Sequence, residues 1–174
     1  GTAAMVSERE NLAVIRRCGY EGLAQRMETE SSWKPDFGPD CPHPTAGAVA
    51  IGVRKPLIAY NINLNTPDVK VAQRIARRIR ERDGGFRCVK ALGLLLKDRG
   101  VTQVSLNLTD YSVTSLAEVF DYVAKCADEY HVEIIESELI GLINLDAILD
   151  VVSHYLKLDN LTSDRILDIH IPTE

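Results

Sequence analysis

The segment Leu57–Leu64, LIAYNINL, alternates between two sets of side chains as a β-strand requires. One face takes the apolar side chains Ile58, Tyr60, Ile62 and Leu64. The opposite face takes two uncharged amides, Asn61 and Asn63. Asn is uncommon in strands because its amide competes for backbone hydrogen bonds. The sequence therefore raises the question of what this polar face contacts.

A second segment, Val101–Leu108 or VTQVSLNL, repeats the pattern. Its apolar face carries Val104, Leu106 and Leu108, and its polar face carries Gln103, Ser105 and Asn107. If both apolar faces pack against helices, the five uncharged polar residues of the two segments gather on the other side of one sheet. Neutral donors and acceptors suit a partly desolvated polar ligand, because burying an unpaired charge is costly. An ordinary hydrated sheet face is the alternative interpretation.

The elements around these strands predict an α+β fold. We expect a helix capped by Thr66 with Pro67 in its first position and ended by Gly84-Gly85, a strand over Phe86–Lys97, a helix from the capping box Ser115-x-x-Glu118 to about Tyr130, and a strand over Val132–Glu136. The order from 57 to 136 is then β-α-β-β-α-β. This is the ferredoxin-like sandwich, in which an antiparallel or mixed sheet carries its helices on one face.

The flanking segments have their own signals. A helix is predicted over residues 7–28, and the stretch Trp33–Gly47, WKPDFGPDCPHPTAG, holds four prolines that favour an extended connector. Asn144 is predicted to cap a last helix, whose inward side chains would be Leu145, Ile148, Leu149, Val152 and Leu156. The tail, Ile166–Ile171, alternates weakly and predicts a final strand.

The bulk composition sets limits on function. The chain has 174 residues, 45% of them hydrophobic, and a formal net charge of −5. That charge argues against a general nucleic-acid binder, and no apolar run or leader pattern predicts membrane insertion or secretion. The cysteines Cys18, Cys41, Cys88 and Cys126 are widely spaced. They predict reduced thiols in a cytoplasmic protein, with a disulfide framework or zinc site as the alternative.

The residues also allow two alternative functions, an RNA-recognition module and a metal site at His43. RNA-recognition modules share the βαββαβ order, but FRCVKALG does not match their aromatic signature, and Tyr60 falls on the core side. The basic run over residues 70–82 is typical of a solvated helix face. His43, between two prolines, has only Asp40 and Cys41 as local partners for a metal, so a ligand-contacting or plain loop role is favoured.

Five blocks of sequence together carry a family resemblance. They are WKPDFGPD…HPTAG, IGVRKPLIAYNINLN, GGFRCVKALG, VTQVSLNLTDY and SELIGLINLDAILD. In this order, from about Asn11 to Asp150, the chain resembles the glutamate formimidoyltransferase family. The resemblance implies transfer of the formimino group from N-formimino-L-glutamate to N5 of tetrahydrofolate in histidine degradation. Tetrahydrofolate would be the co-substrate, and no metal is implied.

The resemblance also implies a domain plan and a site. The family has two similar ferredoxin-like subdomains whose sheets face each other around a polar folate tunnel. Residues 1–33 would end the N-terminal subdomain, 34–52 would be the connector, and 53–174 the C-terminal subdomain. The family's folate-binding stretch corresponds to Gly38, Pro39, Asp40, Cys41, Pro42, His43, Pro44, Thr45, Ala46 and Gly47. The face argument adds Asn61, Asn63, Ser105 and Asn107 to the folate contacts, and predicts that Asn61→Leu weakens folate binding.

In the family the general-base histidine lies in the first subdomain, and no histidine here matches its motif. We therefore predict no catalytic residue and no metal ligand in this chain, which would be a fragment or one half of a split protein supplying the folate-binding half. A non-catalytic folate-binding or subunit-interaction module is the alternative. The expected partners are folate and N-formimino-L-glutamate, without nucleic acid or membrane. A homodimer, or pairing with a chain that carries the N-terminal subdomain, is also expected.

Overall fold

The computed structural model describes residues 12–171, with backbone alone for Ala13. The chain forms two compact units, one ending at Arg54 and the other beginning at Lys55. The first unit contains short helices and the proline-rich stretch, and the second contains the sheet.

The first unit does not contain the single helix predicted over residues 7–28. Positions 7–11 lie outside the described residues, and the rest forms α1 (Leu12–Ile15), a 3₁₀ turn (Arg16–Cys18) and α2 (Leu23–Thr29). The break falls at Gly19, whose φ of 63° and ψ of −175° are open to glycine alone. A short 3₁₀ helix, Ser31–Trp33, follows α2, and no helix or strand is found from 34 to 54. Proline fixes φ and lacks a backbone N–H, so the prolines of this stretch disfavour helix and strand there.

The second unit forms around a four-stranded sheet. Its elements are β1 (Ile58–Leu64), α3 (Val69–Ile79), β2 (Val89–Leu96), β3 (Val101–Leu108), α4 (Leu116–Glu129), β4 (Ile134–Ile140), α5 (Leu145–Leu156) and α6 (Leu167–His170), with 3₁₀ turns at Glu81–Asp83 and Ser163–Arg165. The strands follow the spatial order β2-β3-β1-β4, and every pairing is antiparallel. This confirms the predicted α+β ferredoxin-like fold.

The hydrophobic core lies between the sheet and two helices. The apolar strand residues Ile58, Ile62, Leu64, Val104, Leu106 and Leu108 are buried there. They pack against α3 and α4, which cover the same side of the sheet. Helix α5 adds Ala147 to this core. The side of the sheet turned away from α3 and α4 is called the open face below.

Gly93 of β2 allows α3 to lie very close to the sheet. A Cβ built on Gly93 would lie 2.2 Å from the backbone nitrogen of Gln73 and 2.4 Å from the carbonyl carbon of Ala72. Both are helix backbone atoms, so the contact cannot be relieved by a side-chain rotation. Glycine at this position therefore sets the distance between α3 and β2.

Helix α3 begins later than predicted. Asp68, rather than Thr66, is the N-cap, and its side chain accepts a hydrogen bond from the backbone N–H of Lys70 at 3.0 Å. Thr66 instead accepts from the backbone N–H of Asp68. Asp68 is favoured as the N-cap because its carboxylate both accepts a helix N–H and complements the positive end of the helix dipole.

Three other element predictions need correction. The tail Ile166–Ile171 is not a strand, because most of it forms α6. Strand β4 extends four residues beyond the predicted Glu136, to Ile140. Helix α5 buries Ala147 and Leu149, while three side chains predicted to point inward are exposed: Leu145, Ile148 and Leu156. The box at Ser115 and Glu118 is present as predicted, with both reciprocal hydrogen bonds.

Candidate functional site

The strand register brings the predicted polar residues together on the open face. Asn61 lies opposite Ser105, and Asn63 lies opposite Gln103. Asn107 occupies the next open-face position, opposite Ala59. Tyr60 points to the other side, where its hydroxyl donates to Ser137 Oγ at 2.8 Å. No aromatic side chain occupies the open face of the four described strands, so the stacking surface of an RNA-recognition module is missing.

Two carboxylates of β4 also belong to this face. Asn61 lies opposite Glu138, and Asn63 lies opposite Glu136. The open face therefore carries charge as well as the five neutral polar residues that the alternation of β1 and β3 predicts. The alternation of IIESELI would have placed both carboxylates on one face had the strand been extended past Glu136. Their pairing with the amides of β1 depended on a strand register that links residues more than 70 positions apart.

Amides and carboxylates form one connected set of hydrogen bonds, which we call the amide–carboxylate network. Its members are Asn61, Asn63, Gln103, Glu136, Glu138 and Arg99. Asn63 is fully buried, and its Nδ2 donates to Glu136 at 2.8 Å and to Glu138 at 3.2 Å. Gln103, also buried, donates to Asn63 Oδ1 at 2.9 Å and to Glu138 at 3.2 Å. The buried amides thus have partners inside the protein.

Arg99, in the turn between β2 and β3, neutralises part of this negative charge. Its guanidinium pairs with Glu136 and lies 3.6 Å from Glu138. The hydrogen bond from Asn63, together with that from Arg99, lowers the pKa of Glu136. Glu136 is therefore ionised at neutral pH, and the network fixes its carboxylate in place. Asn63 and Gln103 serve this scaffold and are not available to a ligand in this arrangement.

The other predicted residues of the open face have unused hydrogen-bonding groups. Ser105 and Asn107 are half-buried, and no described residue forms a side-chain hydrogen bond with either of them. Lys90 lies opposite Asn107 and is exposed, also without a described ion-pair partner. We call these three residues the free polar patch. It adjoins the exposed apolar side chains of Leu92 and Leu94, so this half of the face offers donors beside apolar surface.

The ten predicted folate-binding residues Gly38–Gly47, called the proline loop below, lie in the first unit. Backbone hydrogen bonds join His43 and Gly47 in both directions, at 2.8 and 2.9 Å. Gly47 has a φ of 71°, which favours glycine. A Cβ built on Gly47 would lie 3.1 Å from the ring atom Cδ2 of Tyr20, so the turn packs closely against this ring. The Tyr20 hydroxyl donates to the carbonyl oxygen of Pro44 at 2.7 Å. These contacts hold a compact turn over residues 43–47.

The first part of the proline loop borders a shallow depression of about 390 Å³. Asp40, Cys41 and Pro42 line one side of it, and residues of α2, including Met27, line the other. Asp40 forms an ion pair with Lys34 at 2.6 Å. Among residues 12–171, no group of three or more His, Cys, Asp or Glu side chains is placed to hold a metal ion.

The second unit also contains two charged clusters, around Asp110 and Asp121. Asp110 accepts from Lys55 at 2.6 Å and from the hydroxyl of Ser112 at 2.6 Å, and these bonds lower its pKa to about 2. Asp121 of α4 accepts from Tyr155 at 2.7 Å and lies 2.9 Å from His154, so His154 has a structural partner that its sequence position did not indicate. Burial and this carboxylate raise the pKa of Tyr155 to about 12.

Two arginines of the basic run, Arg78 and Arg80, are paired within the protein. Arg78 bonds to Glu129 of α4 at 2.5 Å and lies over the ring of Tyr122. Arg80 bonds to Asp83 at 2.5 Å. Lys70, Arg74 and Arg77 of the same run are exposed, as expected for a solvated helix face. None of the helices within residues 12–171 is both long and apolar enough to cross a bilayer.

Comparison with known proteins identifies the family. A family model described as "Formiminotransferase domain" matches residues 59–170, and one described as "Formiminotransferase domain, N-terminal subdomain" matches residues 1–54. This chain belongs to the formiminotransferase family. The resemblance found in the sequence is thereby confirmed.

Named relatives of this formiminotransferase-family chain agree. Glutamate formimidoyltransferase of Streptococcus pyogenes serotype M1 is 39% identical over 94% of the chain, and that of Thermoplasma acidophilum is 42% identical over 95%. Formimidoyltransferase-cyclodeaminase of Sus scrofa is 37% identical over 92% of the chain. The chain spans about half of the first two proteins, 55% of each, and 30% of the third.

Proposed function

We propose that this chain forms part of a folate-dependent glutamate formimidoyltransferase. The reaction would move the formimino group of N-formimino-L-glutamate to N5 of tetrahydrofolate, in the degradation of histidine. The family match over both the N-terminal subdomain and the formiminotransferase domain carries this proposal. Two relatives with the name of this activity, at 39% and 42% identity, support it.

The role proposed for this chain is to bind folate, with tetrahydrofolate as co-substrate. We assign contacts to the proline loop of the first unit and, independently, to the polar residues Asn61, Ser105 and Asn107 of the second unit, with a supporting role for Asn63. The geometry ranks these four. Asn63 is fully buried and bonded, so its part would be to hold the scaffold, whereas Ser105 and Asn107 retain unused donors and acceptors. We assign no catalytic residue to this chain, and the general base would come from the N-terminal subdomain.

The domain plan and the compartment are proposed on the same basis. Residues 53–174 would be the C-terminal subdomain, residues 34–52 its connector, and residues 1–33 the end of the N-terminal subdomain. We place the protein in the cytoplasm, because all four cysteines are free thiols, as is usual in reducing compartments.

We expect self-association or pairing with a chain that carries the N-terminal subdomain. The open face exposes Leu92 to 57% and Leu94 to 41%, which are apolar side chains that a partner would cover. Light scattering after size-exclusion chromatography measures the mass in solution. A mass of twice 19.3 kDa supports the dimer, and a monomer at all concentrations contradicts self-association.

The deciding experiment is a calorimetric titration of the chain with 5-formyltetrahydrofolate, followed by a formimino-transfer assay on the same sample. Binding without turnover is the expected result. We expect Asn107→Leu to weaken binding about 5- to 10-fold, the effect of one lost hydrogen bond. Asn144→Leu is the matched control, because Asn144 lies at the start of α5 and its side chain forms no cap hydrogen bond.

The other outcomes are equally informative. Turnover by this chain alone would contradict the assignment of the general base to another subdomain. Equal affinity of the Asn107→Leu variant and the unaltered chain would remove the free polar patch from the site. Absence of folate binding would contradict the folate-binding role and leave the family membership standing.

A further inference from the structure

His43 occupies the first position of the tight turn in the proline loop. Its backbone N–H donates to the Gly47 carbonyl at 2.8 Å, and its carbonyl accepts from Gly47 at 2.9 Å. The next carbonyl, that of Pro44, is held by the Tyr20 hydroxyl. These hydrogen bonds fix the backbone around His43, and the fixed backbone sets the direction in which its side chain points.

The imidazole ring of His43 folds over this turn and accepts from it. The backbone N–H groups of Thr45 and Ala46 donate to Nδ1, at 3.3 and 3.2 Å. The Thr45 hydroxyl lies 3.3 Å from the same nitrogen. A ring nitrogen that accepts from backbone N–H groups carries no proton of its own. In the neutral imidazole, the proton must then be on Nε2.

The Nε2–H group is left available. His43 is exposed, and no residue within 12–171 hydrogen-bonds to its Nε2. In this tautomer, Nε2–H is a hydrogen-bond donor that faces solvent, and Nδ1 is the acceptor that bonds to the loop. A ring in this state cannot take a proton at Nε2, and a proton taken at Nδ1 would break both backbone bonds.

We infer that His43 is a ligand-orienting donor, which gives a hydrogen bond from Nε2–H to a carboxylate oxygen of folate or of N-formimino-L-glutamate and does not act as a proton acceptor. This inference rests on the proposed function, because it concerns the same proline loop. Carboxylate is the acceptor of choice, since charge-assisted hydrogen bonds are the stronger ones. Both folate, through its glutamyl group, and N-formimino-L-glutamate carry such a group.

The tautomer can be measured without any ligand. Long-range ¹H–¹⁵N correlation spectra of the ¹⁵N-histidine-labelled chain distinguish protonated from unprotonated ring nitrogens, and His43→Asn assigns the signal by its loss. We expect a protonated Nε2 and an unprotonated Nδ1 for His43 at neutral pH. The opposite tautomer would overturn the inference whatever the chain binds.

Two substitutions separate the donor from the loop contact. In His43→Asn, the side-chain oxygen can replace Nδ1 as acceptor from Thr45 and Ala46, but the Nε2–H donor is lost. In His43→Gln, an amide nitrogen can replace Nε2, but the acceptor near the loop is lost. We expect the amide resonances of Thr45 and Ala46 to be kept in the Asn variant and shifted in the Gln variant.

Affinity for 5-formyltetrahydrofolate then tests the ligand contact. We expect His43→Asn to weaken it about 10-fold, the size of one hydrogen bond to a charged group. Separate titrations with N-formimino-L-glutamate show which of the two carboxylate sources is contacted, because only that ligand loses affinity in the variant. An Asn variant that binds both ligands like the unaltered chain overturns the donor role and leaves the proposed function intact. An unaltered chain that binds neither ligand overturns both.

Discussion

At the scale of single residues, the open face separates amides that build the protein from amides that are free to bind. Asn63 and Asn107 are both open-face Asn residues, on neighbouring strands. Asn63 is fully buried within the amide–carboxylate network, whereas Asn107 has no described partner. We therefore expect the same side chain to matter for stability at position 63 and for ligand binding at position 107.

The Asn63→Leu substitution tests the structural half of this contrast. It removes a donor from Glu136 and Glu138 and an acceptor from Gln103, so a buried amide loses one of its two partners and two carboxylates lose a hydrogen bond. We expect a loss of about 2–3 kcal/mol in the free energy of unfolding, measured by urea denaturation. Asn107→Leu is the matched control and should change this free energy by less than about 0.5 kcal/mol. Similar losses in both variants would mean that the network does not stabilise the fold.

Asp110 gives a prediction on pH. Its hydrogen bond from Lys55, and then those from Ser112, lower its pKa from an ordinary 3.8 to about 2. A depressed carboxyl pKa contributes stability that is present above the ordinary value and lost as the pH falls through about 4 to 2. Lys55→Gln should raise the Asp110 pKa toward its ordinary value, as followed by NMR titration of the carboxyl carbon. Lys90→Gln, which removes a cation elsewhere, should leave that pKa unchanged.

At the scale of elements, contact between α3 and β2 depends on one position without a side chain. Gly93→Ala would push a methyl group into the backbone of α3 at Ala72 and Gln73. We expect a loss of about 1–3 kcal/mol in the free energy of unfolding, with the largest amide shifts in α3 and β2. Gly52→Ala is the control, because no atom lies within 4 Å of its Cβ position. Equal stability of both variants would show that α3 can move away without cost.

Most of these elements could be predicted from the sequence because their signals are local. Strand β3 has the bounds that its alternation indicates, and the capping box at Ser115 starts α4 as expected. The start of α3 was missed because two cap residues compete within three positions, and Asp68 supplies the stronger acceptor. The weak alternation of the tail predicts a strand, but no strand of the described sheet pairs with it.

The candidate site was harder to predict than the fold. Alternation alone placed Asn61, Asn63, Ser105 and Asn107 on one face. It could not show which amides were already bonded, since that depends on Glu136 and Glu138 in a distant strand. The role of His43 in the loop was hidden for a similar reason. Its ring folds back on Thr45 and Ala46, and the sequence gives no direction for a side chain.

At the scale of the whole molecule, the two units differ in how they are held together. The second unit has a continuous core of strand and helix residues. Among the described residues of the first unit, Met27 is the only buried hydrophobic side chain. Local opening costs less free energy where few apolar groups are buried.

Hydrogen exchange should separate the units. We expect slow amide exchange in β1, β3 and α3, and exchange faster by orders of magnitude over residues 34–54, which form no helix or strand. The exception should be the two amides of His43 and Gly47, which bond to each other's carbonyls. Mass spectrometry of peptides, with NMR for single amides, measures both. Uniform protection along the chain would contradict this difference in stability.

The buried amides also decide between alternative alignments of the strands. Sliding β3 along β1 by two residues would keep the same side chains inside and outside, so the apolar core alone penalises this error weakly. Such a slip would set Asn63 opposite Val101 or Ser105 and separate it from Gln103, its partner in the native pairing. A buried amide would then lack a partner that only the correct alignment supplies. The buried polar residues of this sheet therefore specify the correct strand register during folding, before any ligand is present.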